Sequence, residues 1–201
     1  MFAKSPTILK FLYPDLIWDI KTNKNELFLT FDDGPHPDIT PWVIETLKKF
    51  NAKATFFCVG ENVCKYPDVY KSILKAGHKT GNHSYNHLKG WETKNQEYFE
   101  NIELAREKIS SDLFRPPHGR ISRSQIRKLK QEYSIIMWSV LSFDFDTRIS
   151  GEKCFRNSIS TKKPGTISVF HDSEKAWKNL EFALPKYLNY FSDLGYKFKH
   201  L

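Results

Sequence analysis

The sequence has no apolar run long enough to cross a bilayer. The apolar residues near the N-terminus are interrupted by Pro6, Pro14 and Asp15, whereas a membrane-spanning helix needs about 20 mostly apolar residues in a row. No small-residue cleavage site follows them, so no export signal is visible and the default expectation is a cytoplasmic protein. A chain from which such a signal had been trimmed would show the same pattern.

Cysteine is scarce, and repeats and low-complexity tracts are absent from the sequence. The three cysteines, Cys58, Cys64 and Cys154, stand at spacings that fit no zinc or disulfide framework, so we predict free or buried thiols, which suits a reducing compartment. No linker divides the 201 residues. We therefore predict one packed domain over residues 26–201, preceded by an irregular segment, residues 1–25; the oligomeric state is left open.

Acidic residues are outnumbered by basic ones, which gives a formal net charge of +8. The densest basic cluster comprises Arg120, Arg123, Arg127, Lys128 and Lys130, of which all but Arg120 lie in a predicted helix over residues 122–132. No nucleic-acid-binding motif accompanies it, so we expect no nucleic-acid partner. A solvated helical face is the simpler interpretation, and weak attraction to an anionic polymer is the alternative.

One short stretch, Thr30-Phe31-Asp32-Asp33-Gly34-Pro35, organises the rest of the chain. The apolar run Glu26–Phe31 predicts a buried strand, which Gly34 and Pro35 end abruptly. Two adjacent carboxylates therefore stand at the C-terminal end of a strand. Taken alone, Asp-Asp-Gly-Pro is also ordinary turn chemistry.

Strands and helices alternate along nearly the whole chain, which predicts a parallel sheet. A further strand is predicted over Ser134–Leu141, and Thr40 is predicted to cap the helix after the first strand. Polar motifs follow the predicted strands, so we expect them to share one rim of the sheet. These are Asp32-Asp33, His83 with His87, Arg115, Asp144 and His171.

His83 and His87 are four residues apart, so on one helical turn both imidazoles would face the same metal ion. Such a pair alone is weak evidence, because two polar loop histidines would look the same. Residue 84 is Ser rather than Glu, which excludes the His-Glu-x-x-His protease mechanism. Joined by a carboxylate from another strand, the pair forms a donor set typical of catalytic zinc sites.

Four motifs in order resemble those of the polysaccharide deacetylases, also called NodB-homology proteins or family 4 carbohydrate esterases. The resemblance runs from about residue 26 to the C-terminus, and four ordered motifs are far more specific than any one of them. The motifs are Thr30-Phe31-Asp32-Asp33-Gly34-Pro35, His83-Ser84-Tyr85-Asn86-His87, Arg115-Pro116-Pro117-His118-Gly119 and Val169-Phe170-His171-Asp172.

The resemblance implies a distorted, incomplete (β/α) TIM-like barrel and metal-dependent hydrolysis of N-acetyl groups on a glycan that contains N-acetylglucosamine. It implies that the metal, Zn²⁺ or another divalent ion such as Co²⁺, is held by Asp33, His83 and His87. It further implies Asp32 as the general base and His171 as the general acid.

The remaining roles that the resemblance implies concern the surroundings of the base and the acid. Arg115 would orient Asp32, Asp144 would support the acid or the arginine, and the backbone N–H at His118 would stabilise the oxyanion. Each also has a plainer interpretation: Arg115 as a surface ion pair, His171 as a cap and Asp144 as a turn residue. Exposed Trp91, His118 and Phe145 could stack on sugar rings or could equally belong to the core.

The fourth motif departs from the family pattern Asp-x-x-Asp-Trp, which reads here as Leu141 to Phe145 with Asp144 retained. His118 likewise stands where an aromatic residue is common. These departures leave the metal ligands and the base unchanged. They put the shape of the substrate groove, and hence the substrate specificity, in doubt. Removal of O-acetyl groups from a polysaccharide such as xylan, or glycan binding without catalysis, are therefore the alternatives.

Overall fold

Strand β1, Glu26–Asp32, is an interior strand of a parallel sheet in the computed structural model, which describes residues 3–201. The other strands follow in chain order: β2 Thr55–Cys58, β3 Lys79–Asn82, β4 Leu113–Phe114, β5 Ser134–Ile135, β6 Val140–Leu141, β7 Ile167–His171 and β8 Lys197–Lys199. Eight helices connect or flank them: α1 Thr7–Leu12, α2 Ile39–Lys49, α3 Gly60–Lys65, α4 Pro67–Lys75, α5 Asn95–Arg106, α6 Arg123–Leu129, α7 Gly151–Ser158 and α8 Trp177–Asp193.

The sheet has the order β5-β4-β3-β2-β1-β7-β6, and every neighbouring pair in it is parallel. Strand β8 also pairs with β1, at the end of β1 that lies away from Asp32. This curled α/β sheet is an incomplete (β/α) barrel, as the motifs implied. Because all of these strands point the same way, their C-terminal ends form one rim.

Burial on both faces explains the apolar residues Leu27, Phe28, Leu29 and Phe31 of β1. Six of its seven residues are buried, and Phe31 stacks on Phe56 of β2 with ring centroids 5.0 Å apart. Helix α8 covers this face with Leu184, Tyr187 and Leu188, each fully buried. Continuous apolar strands of this kind are typical of parallel sheets with helices packed on them.

The register of the sheet aligns residues that are far apart in sequence. Asp32 at the end of β1 lies beside His171 at the end of β7, and Phe57 of β2 lies on its other side. Neighbouring parallel strands are about 5 Å apart. The first aspartate of the pair and the histidine of the last motif therefore meet at the middle of the rim.

The strand that we predicted over Ser134–Leu141 is wrong as a single element. The chain pairs with β4 through β5 and with β7 through β6, which lie at opposite ends of the sheet order, so residues 136–139 cross the open side of the barrel. Ile136 and Met137 in this crossing are themselves buried. Because the residues between β5 and β6 are also mostly apolar, the sequence pattern did not indicate that the strand ends at Ile135.

Part of the N-terminal segment closes the same opening. The Met137 N–H donates to the Ile17 carbonyl at 2.7 Å, and the Ser5 N–H donates to the Ser139 carbonyl at 2.9 Å. Leu16 and Trp18 are buried in the core. Apart from helix α1, described residues 3–25 contain isolated bridge pairings, and the boundary at residue 25 stays a prediction; residues 1 and 2 lie outside the described range.

Two other expectations about local structure have clear outcomes. All three cysteines are free, with Cys58 and Cys154 buried and Cys64 exposed, as predicted. Thr40 does not cap α2: it lies inside the helix, and its hydroxyl contacts Asp172 and accepts a bond from the His36 N–H. Within residues 3–201, no helix is long and apolar enough to cross a bilayer.

Candidate active site

Asp33, His83 and His87 converge at the rim of the sheet. The His87 Nε2 lies 3.2 Å from the Asp33 Oδ1, and the His83 Nε2 lies 3.7 Å from the same oxygen. One donor atom from each residue lies within 4.8 Å of the other two. Two imidazoles and one carboxylate are a donor set of catalytic zinc sites, so these residues fit a divalent transition metal.

The two histidines do not share a helical turn, contrary to the geometry that their spacing suggested. Residues 83–87 form a loop in which Ser84 and His87 adopt left-handed backbone conformations, with φ of 63° and 62°. Side-chain amides hold this loop: the Asn82 Oδ1 accepts the Ser84 N–H at 2.8 Å, and the Asn101 Oδ1 accepts the Tyr85 N–H at 2.9 Å. The convergence of the imidazoles thus depends on tertiary contacts.

His83 is oriented through its second ring nitrogen. The Nδ1 lies 2.7 Å from the carbonyl oxygen of Arg115, so it carries the proton and donates, and the Nε2 is left with a free lone pair beside Asp33. Burial lowers the pKa of His83 to about 4, with the neighbouring imidazole of His87 adding to the effect against the attraction of Asp32 and Asp33. The imidazole is neutral at pH 7, which is the form that binds metals.

The carboxylate of Asp33 stays ionised although it lies in a desolvated site. Burial favours its protonated form, but the hydrogen bond from His87 and the electrostatic attraction of His171, with smaller contributions from the His83 and His87 imidazoles, outweigh burial and hold its pKa well below the usual range. Its backbone is left-handed, with φ of 79°, and the Asn62 amide donates to its carbonyl oxygen at 2.8 Å. Asp33 is therefore fixed as an anionic donor.

Asp32 pairs with a cation instead of joining the donor set. The Arg115 Nη1 donates to the Asp32 Oδ1 at 2.7 Å, and both side chains are almost completely buried. The same nitrogen donates to the Thr30 hydroxyl at 2.7 Å. Arg115 is thus no surface ion pair; it fixes one carboxylate oxygen of Asp32 and leaves the other unbound by Arg115, and Asp32 itself lines the groove.

Arg115 is fixed by contacts that the sequence did not reveal. Its Nη2 donates to the Met137 carbonyl at 2.9 Å, its Nε donates to the Ile136 carbonyl at 3.3 Å, and its guanidinium carbon lies 4.1 Å from the centre of the Phe57 ring. Burial lowers the pKa of Arg115 and Asp32 opposes the shift. Backbone carbonyls leave no sequence signal, so the crossing chain could not be recognised as part of the site.

His171 and Asp144 form a second pair, in which Asp144 is buried and His171 is mostly so. The His171 Nδ1 lies 2.7 Å from the Asp144 Oδ1, and the His171 backbone N–H donates to the Asp144 Oδ2 at 2.7 Å. Burial disfavours the charged imidazole, but the charge and hydrogen bond of Asp144, with further attraction from Asp33 and Asp32, raise the pKa of His171 to about 9. Asp144 therefore contacts the histidine, not Arg115, and is more than a turn residue.

A third buried carboxyl, Asp172, supports the turn after β1. Its Oδ1 accepts the Gly34 N–H at 3.2 Å, and its Oδ2 contacts the Thr40 hydroxyl. A Cβ at residue 34 would lie 2.1 Å from the Asp172 carboxylate, so only glycine fits there. Burial, reinforced by the charge of Asp33, raises the pKa of Asp172 to about 8. Its position next to His171 was the only sequence signal for this contact.

The groove above these residues has a volume of about 670 Å³ and a partly aromatic lining. His118 is exposed and packs edge-on against His87, with ring centroids 4.5 Å apart. Phe145 is half-buried and packs edge-on against His171 at 4.9 Å. Trp91 is 63% exposed and also lines the groove, as does Leu141. The sequence left open whether Trp91, His118 and Phe145 line the groove or belong to the core. All three line the groove and none is buried, so the first alternative is favoured.

An α/β half-barrel with ionisable groups gathered on the C-terminal rim of its strands is the architecture of a barrel-type enzyme. The sequence model of the polysaccharide deacetylase family matches residues 19–134. The chain belongs to this family. The matched range contains Asp32, Asp33, both histidines of the donor set and Arg115, whereas Asp144 and His171 lie beyond it.

Similar proteins agree with this assignment. A peptidoglycan-N-acetylglucosamine deacetylase of Bacillus cereus is 33% identical over 189 residues, which cover 90% of this chain and 88% of that protein. Another enzyme of the same name from the same organism is 36% identical over 159 residues, and that match spans only 57% of its length. The chain is thus much shorter than this second relative.

Among solved structures, the chain is similar to a peptidoglycan N-acetylglucosamine deacetylase that was crystallised in complex with 4-naphthalen-1-yl-N-oxidanyl-benzamide. The TM-score is 0.87 at 29% sequence identity, and the match covers 98% of this chain and 95% of the other. The fold is therefore shared over almost the entire length of both chains.

Proposed function

We propose that this chain is a metal-dependent hydrolase that removes N-acetyl groups from an N-acetylglucosamine-containing polysaccharide or oligosaccharide. The observation that carries the proposal is the division of labour between adjacent aspartates: Asp33 lies with His83 and His87, whereas Asp32 is held by Arg115. The names of the similar deacetylases support an N-acetylated glycan as substrate.

The metal that we propose is Zn²⁺, with Co²⁺ as a substitute, held by Asp33, His83 and His87. When bound, such an ion polarises the amide carbonyl and lowers the pKa of water. The protein's own contribution is to bring the three donors together at one place and to keep two of them deprotonated, which the low pKa values of Asp33 and His83 favour.

Asp32 is the general base of this proposal. Its Oδ1 is occupied by Arg115, so the other oxygen is free to take the proton of the attacking water. The permanent charge of Arg115 pairs with the carboxylate and fixes its orientation. A positioned base of this kind contributes roughly 10²–10⁴-fold to the rate.

His171 is the general acid. With a pKa raised to about 9 its imidazole is protonated at pH 7, and the carboxylate of Asp144 bonded to the Nδ1 leaves the proton on the Nε2 to be given away. The leaving amine must gain a proton as the C–N bond breaks, and an imidazolium can supply it. Asp144 acts through His171 as a positioning residue.

Residues in the loops that line the groove are proposed to stabilise the oxyanion and to contact the sugar. The His118 residue has a left-handed backbone, with φ of 58°, and we propose its N–H as the oxyanion donor. The half-buried ring of Phe145, packed on His171, is proposed to contact the sugar ring.

The test measures free acetate after incubation with Zn²⁺ or Co²⁺ and acetylated glycans. We expect release from N-acetylglucosamine oligomers, loss of release with a chelator, and recovery when metal is restored. Release from acetylated xylan alone would replace the proposal with O-deacetylation. Chelator-insensitive glycan binding without acetate release would instead indicate a non-catalytic relative.

A further inference from the structure

A second pocket adjoins the catalytic groove. It has a volume of about 340 Å³ and lies between the end of helix α1 and helix α6. Tyr13 lines both this pocket and the catalytic groove, so the two share one side chain as a wall. A chain-like ligand that leaves the groove on this side would pass over Tyr13 into the second pocket.

The second pocket carries unneutralised positive charge. Arg123 and Arg127 line it from α6, four residues apart and both exposed. Within residues 3–201, neither arginine forms an ion pair with a carboxylate. The one acidic residue in its lining, Asp15, is already bonded to Lys130 at 3.0 Å. Like charges four apart mildly destabilise a helix, so the arrangement brings no gain in stability.

The rest of the lining is apolar or aromatic. Leu12 and Pro14 contribute from the N-terminal segment, and Ile126 contributes from α6. The Arg123 guanidinium carbon lies 5.8 Å from the centre of the Tyr13 ring, a contact that holds the arginine against this wall. The pocket thus combines a planar hydrogen-bond donor with a surface that suits the apolar face of a sugar or a short aliphatic group.

We infer that this pocket is a substrate subsite that binds a carboxylate carried by the glycan, such as an acidic substituent on the sugar next to the deacetylated one. The inference rests on the proposed function and narrows its substrate class to acidic N-acetylated glycans. Arginine suits this task because its planar guanidinium matches a carboxylate with two parallel hydrogen bonds.

Two tetrasaccharides of equal length separate this inference from general glycan affinity. One is the neutral N-acetylglucosamine tetramer, and the other alternates N-acetylglucosamine with N-acetylmuramic acid, whose lactyl groups carry carboxylates. Binding of each is measured by titration calorimetry, and acetate release is measured separately. The wild-type protein is expected to bind the acidic tetrasaccharide more tightly, with a preference that weakens as salt increases.

The double variant Arg123→Gln/Arg127→Gln is compared with Lys128→Gln/Lys178→Gln, which removes the same charge at exposed lysines outside the pocket. We expect the arginine variant to weaken binding of the acidic tetrasaccharide, and to raise its KM, by about threefold to tenfold, in line with exposed charge pairs of good geometry. Its kcat, and its binding of the neutral tetramer, stay near the wild-type values.

Two results would overturn the inference: equal wild-type affinity for the two tetrasaccharides, or an equal loss in the arginine and lysine variants. Arginine-dependent binding without acetate release by any of the proteins would support the subsite while contradicting the proposed deacetylation. Thermal melting of all variants checks that the fold is intact, which we expect because all four substituted side chains are exposed.

Discussion

Two ion pairs at the rim, Asp32 with Arg115 and Asp144 with His171, each combine a buried aspartate with a different cation. The Arg115 cation cannot lose its proton under ordinary conditions, and it bonds to Thr30 and to two backbone carbonyls as well as to Asp32. His171 can lose its proton, and one of its nitrogens remains free of Asp144.

The comparison shows how similar pairs can serve opposite roles. A fixed cation keeps Asp32 anionic, which suits a group that accepts a proton. A fixed anion keeps His171 cationic, which suits a group that donates one. The cation partner, more than the aspartate, therefore decides which role each pair can fill.

The largest effect is expected from Asp32→Asn, which keeps the size and one hydrogen-bond acceptor of the base but removes its charge. We expect kcat to fall by roughly 10²–10⁴-fold, because an amide cannot take the proton of water. Zinc content, measured by elemental analysis, should stay at the wild-type level, since Asp32 is not in the donor set. Full activity in this variant would remove Asp32 from the mechanism.

Removing the fixed cation tests the other half of the same pair. Arg115→Met leaves Asp32 buried with its charge unpaired, and breaking a buried pair in this way costs about 3–5 kcal/mol of unfolding free energy. Urea denaturation measures this loss. The exposed pair of Arg148 with Asp146 provides the control, because Arg148→Met should cost less than about 1 kcal/mol. Equal losses of unfolding free energy in the two variants would mean that the buried pair contributes no more to stability than the exposed pair.

The titratable pair predicts a pH effect that the fixed pair cannot show. Activity that needs protonated His171 is present below its raised pKa and is lost as pH rises through about 9. Asp33 contributes to the raised pKa of His171, and a cation bound at Asp33 would weaken this contribution. The pH at which activity is lost would then be lower. Asp144→Asn removes the main stabilising charge, so the alkaline limb of the kcat/KM profile should move to lower pH. An unchanged limb would assign the acid to another group.

A third buried carboxyl, that of Asp172, extends the comparison because it is not paired with a basic side chain among the described residues. Asp172 contacts a hydroxyl and a backbone N–H, and no basic side chain pairs with it within residues 3–201. Its pKa is raised to about 8, so the folded state keeps a proton that the unfolded chain loses near pH 4. Stability from this group is therefore lost as pH rises from about 4 to about 8.

Asp172→Asn should flatten this decline, which urea midpoints at pH 5 and pH 8 would measure. Asp68→Asn, at an exposed carboxylate, is the control and should leave the slope unchanged. We expect this to be the smallest of the four effects, because the amide of Asn can replace the neutral carboxyl as a hydrogen-bonding group. A wild-type protein that gains stability between these pH values would contradict the assignment of a neutral Asp172.

Much of the fold was predictable because its signals are local. The strand predicted over Glu26–Phe31 and the helix predicted over residues 122–132 match the observed strand Glu26–Asp32 and the observed helix Arg123–Leu129 to within a few residues. The failed strand prediction has a non-local cause: Ser134–Leu141 is largely apolar, but whether such a run pairs with one neighbour or crosses between two depends on strands elsewhere in the chain.

The candidate site divides in the same way. The sequence by itself determined which residue types stand after each strand, and its resemblance to the family indicated Asp33, His83 and His87 as candidate metal donors and the adjacent Asp32 as the candidate base. Only the tertiary structure decided that Asp144 serves His171 while Arg115 serves Asp32, and that the His83 and His87 imidazoles meet through a loop held by Asn82 and Asn101. Residue identity is a property of the chain, but a partner is chosen by register and by burial, which exist only when distant segments pack together.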